Sequence, residues 1–261
     1  MINRDYEGKD KEGMVLRIER SSIHDGDGFR TVVFLKGCPL NCQWCSTPES
    51  QKFGIEQAGD IIYGQKMTVE EVMKVVRKDA AFYFHSGGGM TLSGGEVLAQ
   101  PVFSRTLLKE ACTEGINTAV ETSFFAEEKI VDSLLPYIMT AYVDLKLMSP
   151  DLHQKYCGVE NGRILNNMVK TNQSKEKFRL IIRVPLIPGV NDSEMELCKI
   201  GKFCAGLKRM EYLQLLPYHR LGSDTYRKLG RPYAFDGLMP PTEEHMAASR
   251  KILERYVSHV I

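Results

Sequence analysis

The chain has no apolar run long enough to cross a bilayer, and its first residues, MINRDYEGKDKEGM, are charged where a secretion signal would carry an apolar core. Both absences favour a cytoplasmic protein without membrane contact. Charge of one sign is not in excess either: 34 Lys and Arg against 33 Asp and Glu leave a net charge of +1. That balance offers no basic footprint for nucleic acid and no acidic tail, so no nucleic-acid partner is expected. Low-complexity tracts, interdomain linkers and repeats of fixed period are missing, which excludes solenoids and tethered modules. With 261 residues, 43% of them hydrophobic, the chain is long enough for one large domain with a substantial core. The reading is a single domain over residues 1–261, with 1–13 as a flexible N-terminal extension, working as a monomer. Seven cysteines without a secretion signal suit thiolate chemistry in a reducing compartment better than a disulfide framework. Two separated C-x2-C pairs, or a nearby H-x3-H, would spell a closed zinc site, and neither is present.

What is present begins with KGCPLNCQWCSTPESQ, Lys36 to Gln51, in which Cys38, Cys42 and Cys45 stand at C-x3-C-x2-C. Thiolates this close on one short loop can converge on a soft metal centre, and cubane [4Fe–4S] clusters are held by cysteine thiolates. Three ligands would leave one iron free for another partner.

The rest of the chain alternates between two periods. Strands are predicted at Val15 to Ile18, Thr31 to Leu35, Met90 to Leu92, Ile116 to Val120, Ala141 to Leu145, Phe178 to Val184 and Met210 to Leu216, where β-branched and apolar residues cluster. Thr68 and Glu71 spell a capping box, followed by Val69, Val72, Met73 and Val76 on one helical face. Further helices are predicted from about Val102 to a stop at Gly115, over Glu127 to Leu135, over Asp151 to Lys170 as one or two pieces, over Asp192 to Gly206 and over Thr242 to Val257. Strands separated by helices of this length imply βαβ units and a parallel sheet. The polar residues choose between an open sheet and a barrel. The cysteine loop, Ser93 to Glu96, Glu121, Asp144 with Lys146, Arg183 and His219 all fall within or just after successive predicted strands. A (β/α) barrel builds its active site from those strand ends, so the expected fold is α/β, a partial (β/α)6 TIM-like barrel.

The motifs HDGDGFRTVVFLKGC (24–38), CPLNCQWC, SGGGMTLSGGE (86–96), YVDLKLM (142–148), RVPLIPGVND (183–192) and LQLLPYHRLG (213–222) together resemble the radical SAM activating enzymes of glycyl radical enzymes. The resemblance runs from about Met14 to the end. It implies that Cys38, Cys42 and Cys45 bind three irons of one [4Fe–4S] cluster, whose fourth iron chelates S-adenosylmethionine (SAM), and that these cysteines with Lys146 form the catalytic set. Trp44, Cys45 and Ser46 would line the cofactor, as would Leu145 and Lys146. Ser93, Gly94, Gly95 and Glu96 would meet its methionine end, the glycines permitting close backbone approach. Arg183 and His219 would also contact it. Glu121 stands where the family has an aspartate that, with the match to Asp144, holds a monovalent cation near the cofactor. Its extra methylene is a departure from that pattern.

The implied activity is reductive cleavage of SAM and abstraction of a hydrogen from a glycine of a partner glycyl radical enzyme, such as pyruvate formate-lyase or a related dehydratase, lyase or decarboxylase. Flavodoxin or ferredoxin would supply the electron. Rival readings are a radical SAM enzyme acting on a small molecule or RNA, and a non-enzymatic zinc protein with Cys157 or His24 as fourth ligand. Asp27 replaces the usual proline of the lead-in, leaving that loop less rigid. CSTPESQ resembles the activators of decarboxylases and dehydratases more than that of pyruvate formate-lyase, but no cysteine lies between Cys45 and Cys112, so a second cluster is not expected. Cys112, Cys157, Cys198 and Cys204 read as structural thiols. Gly87 to Gly89 reads equally as a turn or as a loop that contacts the partner peptide.

Overall fold

The computed structural model describes residues 8–261. A strand β1 (Glu12–Ser22) runs antiparallel to β2 (Arg30–Leu35), and the cysteine loop follows β2 directly. A short hairpin of β3 (Glu56–Ala58) and β4 (Ile61–Tyr63) leads to β5 (Gln65–Thr68), which pairs with the outer side of β1. Helices α1 (Val69–Val76) and α2 (Ala80–Ser86) precede β6 (Gly89–Gly94). Four further units then follow: α3 (Pro101–Thr113) with β7 (Asn117–Thr122), α4 (Glu128–Leu134) with β8 (Thr140–Asp144), α5 (Pro150–Cys157) and α6 (Gly162–Asn172) with β9 (Arg179–Leu186), and α7 (Glu194–Ala205) with β10 (Met210–Pro217). Helices α8 (Ser223–Lys228) and α9 (Glu243–Leu253) complete the described chain.

Strands β2, β6, β7, β8, β9 and β10 are parallel neighbours in that order, and β1 and β5 extend the sheet antiparallel beyond β2. This is the partial (β/α)6 barrel the sequence predicts, open between β10 and β5. The edge of β10 is covered by the C-terminal residues: Leu213 N–H donates to His259 O at 3.0 Å and Ile261 N–H to Leu213 O at 2.9 Å. A covered edge presents fewer unpaired backbone groups to a second chain. The principal core lies between sheet and helices, from Val33 and Leu92 through Leu107, Leu134 and Ile182 to Leu197 and Leu253. A second, small cluster of Ala119, Tyr142 and Ile181, with Tyr212 against it, sits on the other face, inside the curl of the sheet.

The predicted elements form with small shifts at their ends. Thr68 and Glu71 make the reciprocal capping box, Glu71 N–H donating to Thr68 Oγ1 at 3.2 Å and Thr68 N–H to Glu71 Oε2 at 2.7 Å. The segment 151–170 is two helices, because Gly158 turns left-handed at φ +83° to end α5. One expectation is corrected. Residues 8–13 are not a flexible extension, since Glu12 and Gly13 pair with Thr68 and Met67 of β5; residues 1–7 lie outside the described residues. The β3–β4 hairpin, β5, α2 and α8 carry no periodic signal and were not predicted. They are too short for periodicity to register, and β5 is fixed as a strand only by its partner β1.

Candidate active site

The cysteine loop is held at its base by its own ends. Gly37 N–H donates to Ser50 O at 2.7 Å and Cys38 N–H to Gln51 O at 2.9 Å, while the fully buried Lys36 places Nζ 2.6 Å from Glu49 O. Lys36 also meets Glu56 at 3.2 Å, and Arg231 bonds the Pro48 carbonyl at 2.8 Å. On the far side, α5 receives the loop: Asn41 N–H donates to Cys157 O at 2.7 Å and Gln43 N–H to Tyr156 O at 3.0 Å. Trp44 packs against both Tyr156 and Phe235, with ring centroids 6.5 and 6.2 Å away. Fixed on both flanks, the loop presents Cys38, Cys42 and Cys45 to one cavity of about 470 Å³.

The turn after β6 packs beneath that loop. Its glycines are required by this contact: a Cβ on Gly94, at φ +107°, would lie 2.3 Å from Leu35 N, and one on Gly95 would lie 2.4 Å from Gly37 O. Glu96, only 1% exposed, is fully engaged by protein donors. Its Oε1 accepts from Leu98 N–H at 3.1 Å and the Thr122 hydroxyl at 2.5 Å; its Oε2 accepts from Ser123 N–H at 2.8 Å and the Ser123 hydroxyl at 2.5 Å. The carboxylate thereby ties the end of β6 to the end of β7.

Across the inner face runs a belt of polar and charged groups set by register, with Asp144, Arg183 and Gln214 side by side on β8, β9 and β10. The Ser93 hydroxyl donates to Glu121 Oε2 at 2.5 Å, and Arg183 pairs with Glu121 Oε1 and donates to Gln214 Oε1 at 3.2 Å. The Arg183 guanidinium also lies 4.2 Å from the centre of the Tyr142 ring. Lys146 Nζ is 2.5 Å from Asp144 Oδ2. Burial works to lower the pKa of both cations, but the surrounding anionic groups, Asp144 foremost at Lys146 and Glu121 foremost at Arg183, together keep both above their ordinary values.

The thiols differ among themselves. Burial pushes Cys45 up to about 12 and Cys38 well above its ordinary value. A hydrogen bond from the buried Cys157 thiol lowers Cys42, leaving it the readiest thiolate of the three.

Of the sequence-predicted site residues, Cys38, Cys42, Trp44, Cys45, Ser46, Ser93, Gly94, Gly95, Glu96, Glu121, Asp144, Lys146, Arg183 and His219 all line this cavity. His219 is exposed at its rim, and partial burial lowers its imidazole pKa. Leu145 does not line the cavity: it alternates to the other face of β8's end and is packed in the principal core at 1% exposure. Sequence reasoning missed Gln214, although the burial of Leu213 and Leu215 on the opposite face follows from period-2 alternation. Thr122 and Ser123, the holders of Glu96, and Tyr142, beneath Arg183, left no sequence signal. Cys157 is more than an isolated structural thiol, since it stands against Cys42. The expected cation site does not fit. Glu121 is engaged by Ser93 and Arg183, and Asp144 by Lys146.

The radical SAM superfamily profile matches residues 32–199. The isethionate sulfite-lyase activating enzyme of Oleidesulfovibrio alaskensis is 37% identical to this chain, over 87% of it and 90% of the relative. The chain belongs to the radical SAM activating enzymes. The (2S)-3-sulfopropanediol dehydratase activating enzyme of Klebsiella oxytoca is 35% identical, over 85% of this chain and 86% of that one. Among solved structures, a domain of a pyruvate-formate lyase-activating enzyme from Bacteroides vulgatus is 33% identical with a TM-score of 0.56, covering 67% of this chain and 98% of that domain. A radical SAM methyltransferase from Sphaerobacter thermophilus, 17% identical with a TM-score of 0.64 over 95% of this chain and 75% of its own, shares the fold alone. As a radical SAM activating enzyme, the protein is not the zinc-binding scaffold weighed above. No helix among the described residues is long and apolar enough to cross a membrane.

Proposed function

We propose that Cys38, Cys42 and Cys45 hold the single cluster of a glycyl radical enzyme activating enzyme, and that the belt below them receives SAM. The observation that carries this is the meeting, in one cavity, of three soft thiol donors with the glycine turn after β6 and the inward-facing charges of β7 to β9. The donor set suits iron and sulfide, and three ligands leave one iron open for the cofactor. When bound, cluster and SAM would supply the radical chemistry, an electron from the external donor cleaving the sulfonium and a hydrogen atom being taken from a glycine of the partner enzyme.

This chain's own residues orient and shield that chemistry. Cys42, whose pKa the Cys157 thiol lowers, is the thiol most ready to ligate iron. Lys146 and Arg183 carry positive charge into the cavity for the cofactor's carboxylate, while Asp144 and Glu121 hold those cations in place. Trp44 and Ser46 close the cavity beside the loop, and His219 stands at the rim for the adenosyl end. The described residues act as one domain that meets its protein substrate and an external one-electron donor, flavodoxin or ferredoxin, in the cytoplasm as a monomer.

Anaerobic EPR of the iron-reconstituted protein with reductant, SAM and a panel of glycyl radical enzymes, tested one at a time, decides the reading. A glycyl doublet with one panel member is the expected result. Formation of 5′-deoxyadenosine without any doublet would redirect the search to a small-molecule substrate.

A further inference from the structure

We infer that this protein carries its counter-cation covalently: the Arg183 guanidinium, clamped to Glu121, takes the place of a bound monovalent cation, so cofactor binding does not require Na+ or K+. The inference rests on the reading of the cavity as a SAM site and names what completes its charge balance. Two carboxylates, Glu121 and Asp144, face two built-in cations, Arg183 and Lys146, at contact distance, so the four charges cancel. Of the two Glu121 oxygens, one accepts from Ser93 and the other from Arg183. Of the cavity's two other carboxylates, Asp25 accepts from the Ser22 hydroxyl, and Glu96 is saturated by four N–H and O–H donors. A Na+ or K+ ion binding between Glu121 and Asp144 would compete with two part-buried ion pairs, and stripping one partner from such a pair leaves a charge without its compensation. The extra methylene of Glu121 over an aspartate is what lets its carboxylate reach from β7 past Tyr142 on β8 to Arg183 on β9. The cation–π contact with Tyr142 and the bond to Gln214 hold the guanidinium on two further sides. Burial does not neutralise it, since the pKa of Arg183 stays above its ordinary value.

The test compares SAM affinity of the cluster-loaded protein, by anaerobic calorimetry, in KCl, NaCl and tetramethylammonium chloride at one ionic strength. It also compares the thermal midpoint of the cofactor-free protein in the same salts. Wild type should bind SAM within about twofold in all three and show no midpoint shift, because a ligand absent from the folded state stabilises nothing. Arg183→Gln should lose about tenfold in tetramethylammonium, the size of one weakened ion pair, and regain part of it in KCl. Arg183→Lys should stay insensitive to the salt. Should Arg183→Gln not fold, Glu121→Asp carries the same test, since the shortened carboxylate frees a site and should make SAM affinity rise with KCl. A tenfold loss of wild-type affinity without Na+ and K+ overturns the inference and leaves the activity intact. Failure of wild type to bind or cleave SAM in any salt removes the function on which the inference stands.

Discussion

Glu96 shows how a motif residue can serve by holding the site together. Its buried carboxylate meets four donors from two strand ends, and hydrogen bonds to a charged group contribute about 1.5–3 kcal/mol each. Glu96→Gln turns one acceptor into an NH2 facing a donor. It should cost about 2 kcal/mol, seen as a fall of roughly 4–8 °C in the thermal midpoint of the cofactor-free protein. An unchanged midpoint would show that the carboxylate charge is not what the donors hold. His153 on α5 gives the stability a pH signature. It is 1% exposed, and its Nδ1–H donates to Val159 O at 2.6 Å. Burial, against the pull of that carbonyl, lowers its pKa, so on acidification the unfolded chain binds the proton first. Its contribution to stability is complete above about pH 6.5 and declines as the pH falls toward the folded value. The stability gap between wild type and His153→Gln, measured by denaturant titration, should therefore narrow from pH 7 to pH 5. A constant gap would show that His153 does not titrate differently in the two states.

Elements meet at the base of the cysteine loop, where the turn after β6 lies against β2 and the loop's returning end. Gly95 leaves no room for a side chain: the added carbon would sit 2.4 Å from Gly37 O and 2.9 Å from Ser50 O, both backbone atoms. Gly95→Ala must push the loop away from β6. It should fold with a lower midpoint and take up less than half the wild-type iron on reconstitution, because the backbone contacts that set the thiols are spread apart. Full iron content in that variant would mean the loop keeps its shape without this contact. Hairpin β3–β4 and β5, invisible as periodic segments, matter at this scale as well, since Glu56 of β3 braces Lys36 and β5 edges β1. The helices were legible because capping residues and the 3.6 period act locally, as at Thr68 and Glu71.

At the scale of the whole molecule, one cavity gathers the charged and thiol groups of six parallel strands, and the four other cysteines divide by place. Cys204 is buried beside Leu197 and Ile200 on α7, Cys112 and Cys198 are partly exposed, and Cys157 alone stands by the loop. One cluster then implies about four irons per chain after reconstitution. Cys112→Ala should keep that content. Cys42→Ala should lose most of the iron, its visible absorbance and 5′-deoxyadenosine formation. Iron near eight per chain, or loss of iron in Cys112→Ala, would require a second centre.

The spacing of Cys38, Cys42 and Cys45, the glycine turn before Glu96 and the order of strands and helices are written in the sequence, because each depends on neighbours within a few residues or on the period of one element. The tertiary structure alone decided where charges are answered. Arg183 meets Glu121 across 62 positions, Glu96 finds Thr122 and Ser123 on the next strand, and Leu145, beside two cavity residues, turns into the core. Such pairings depend on strand register and on the curl of the sheet, which bring distant side chains within hydrogen-bond reach and leave no mark in local pattern.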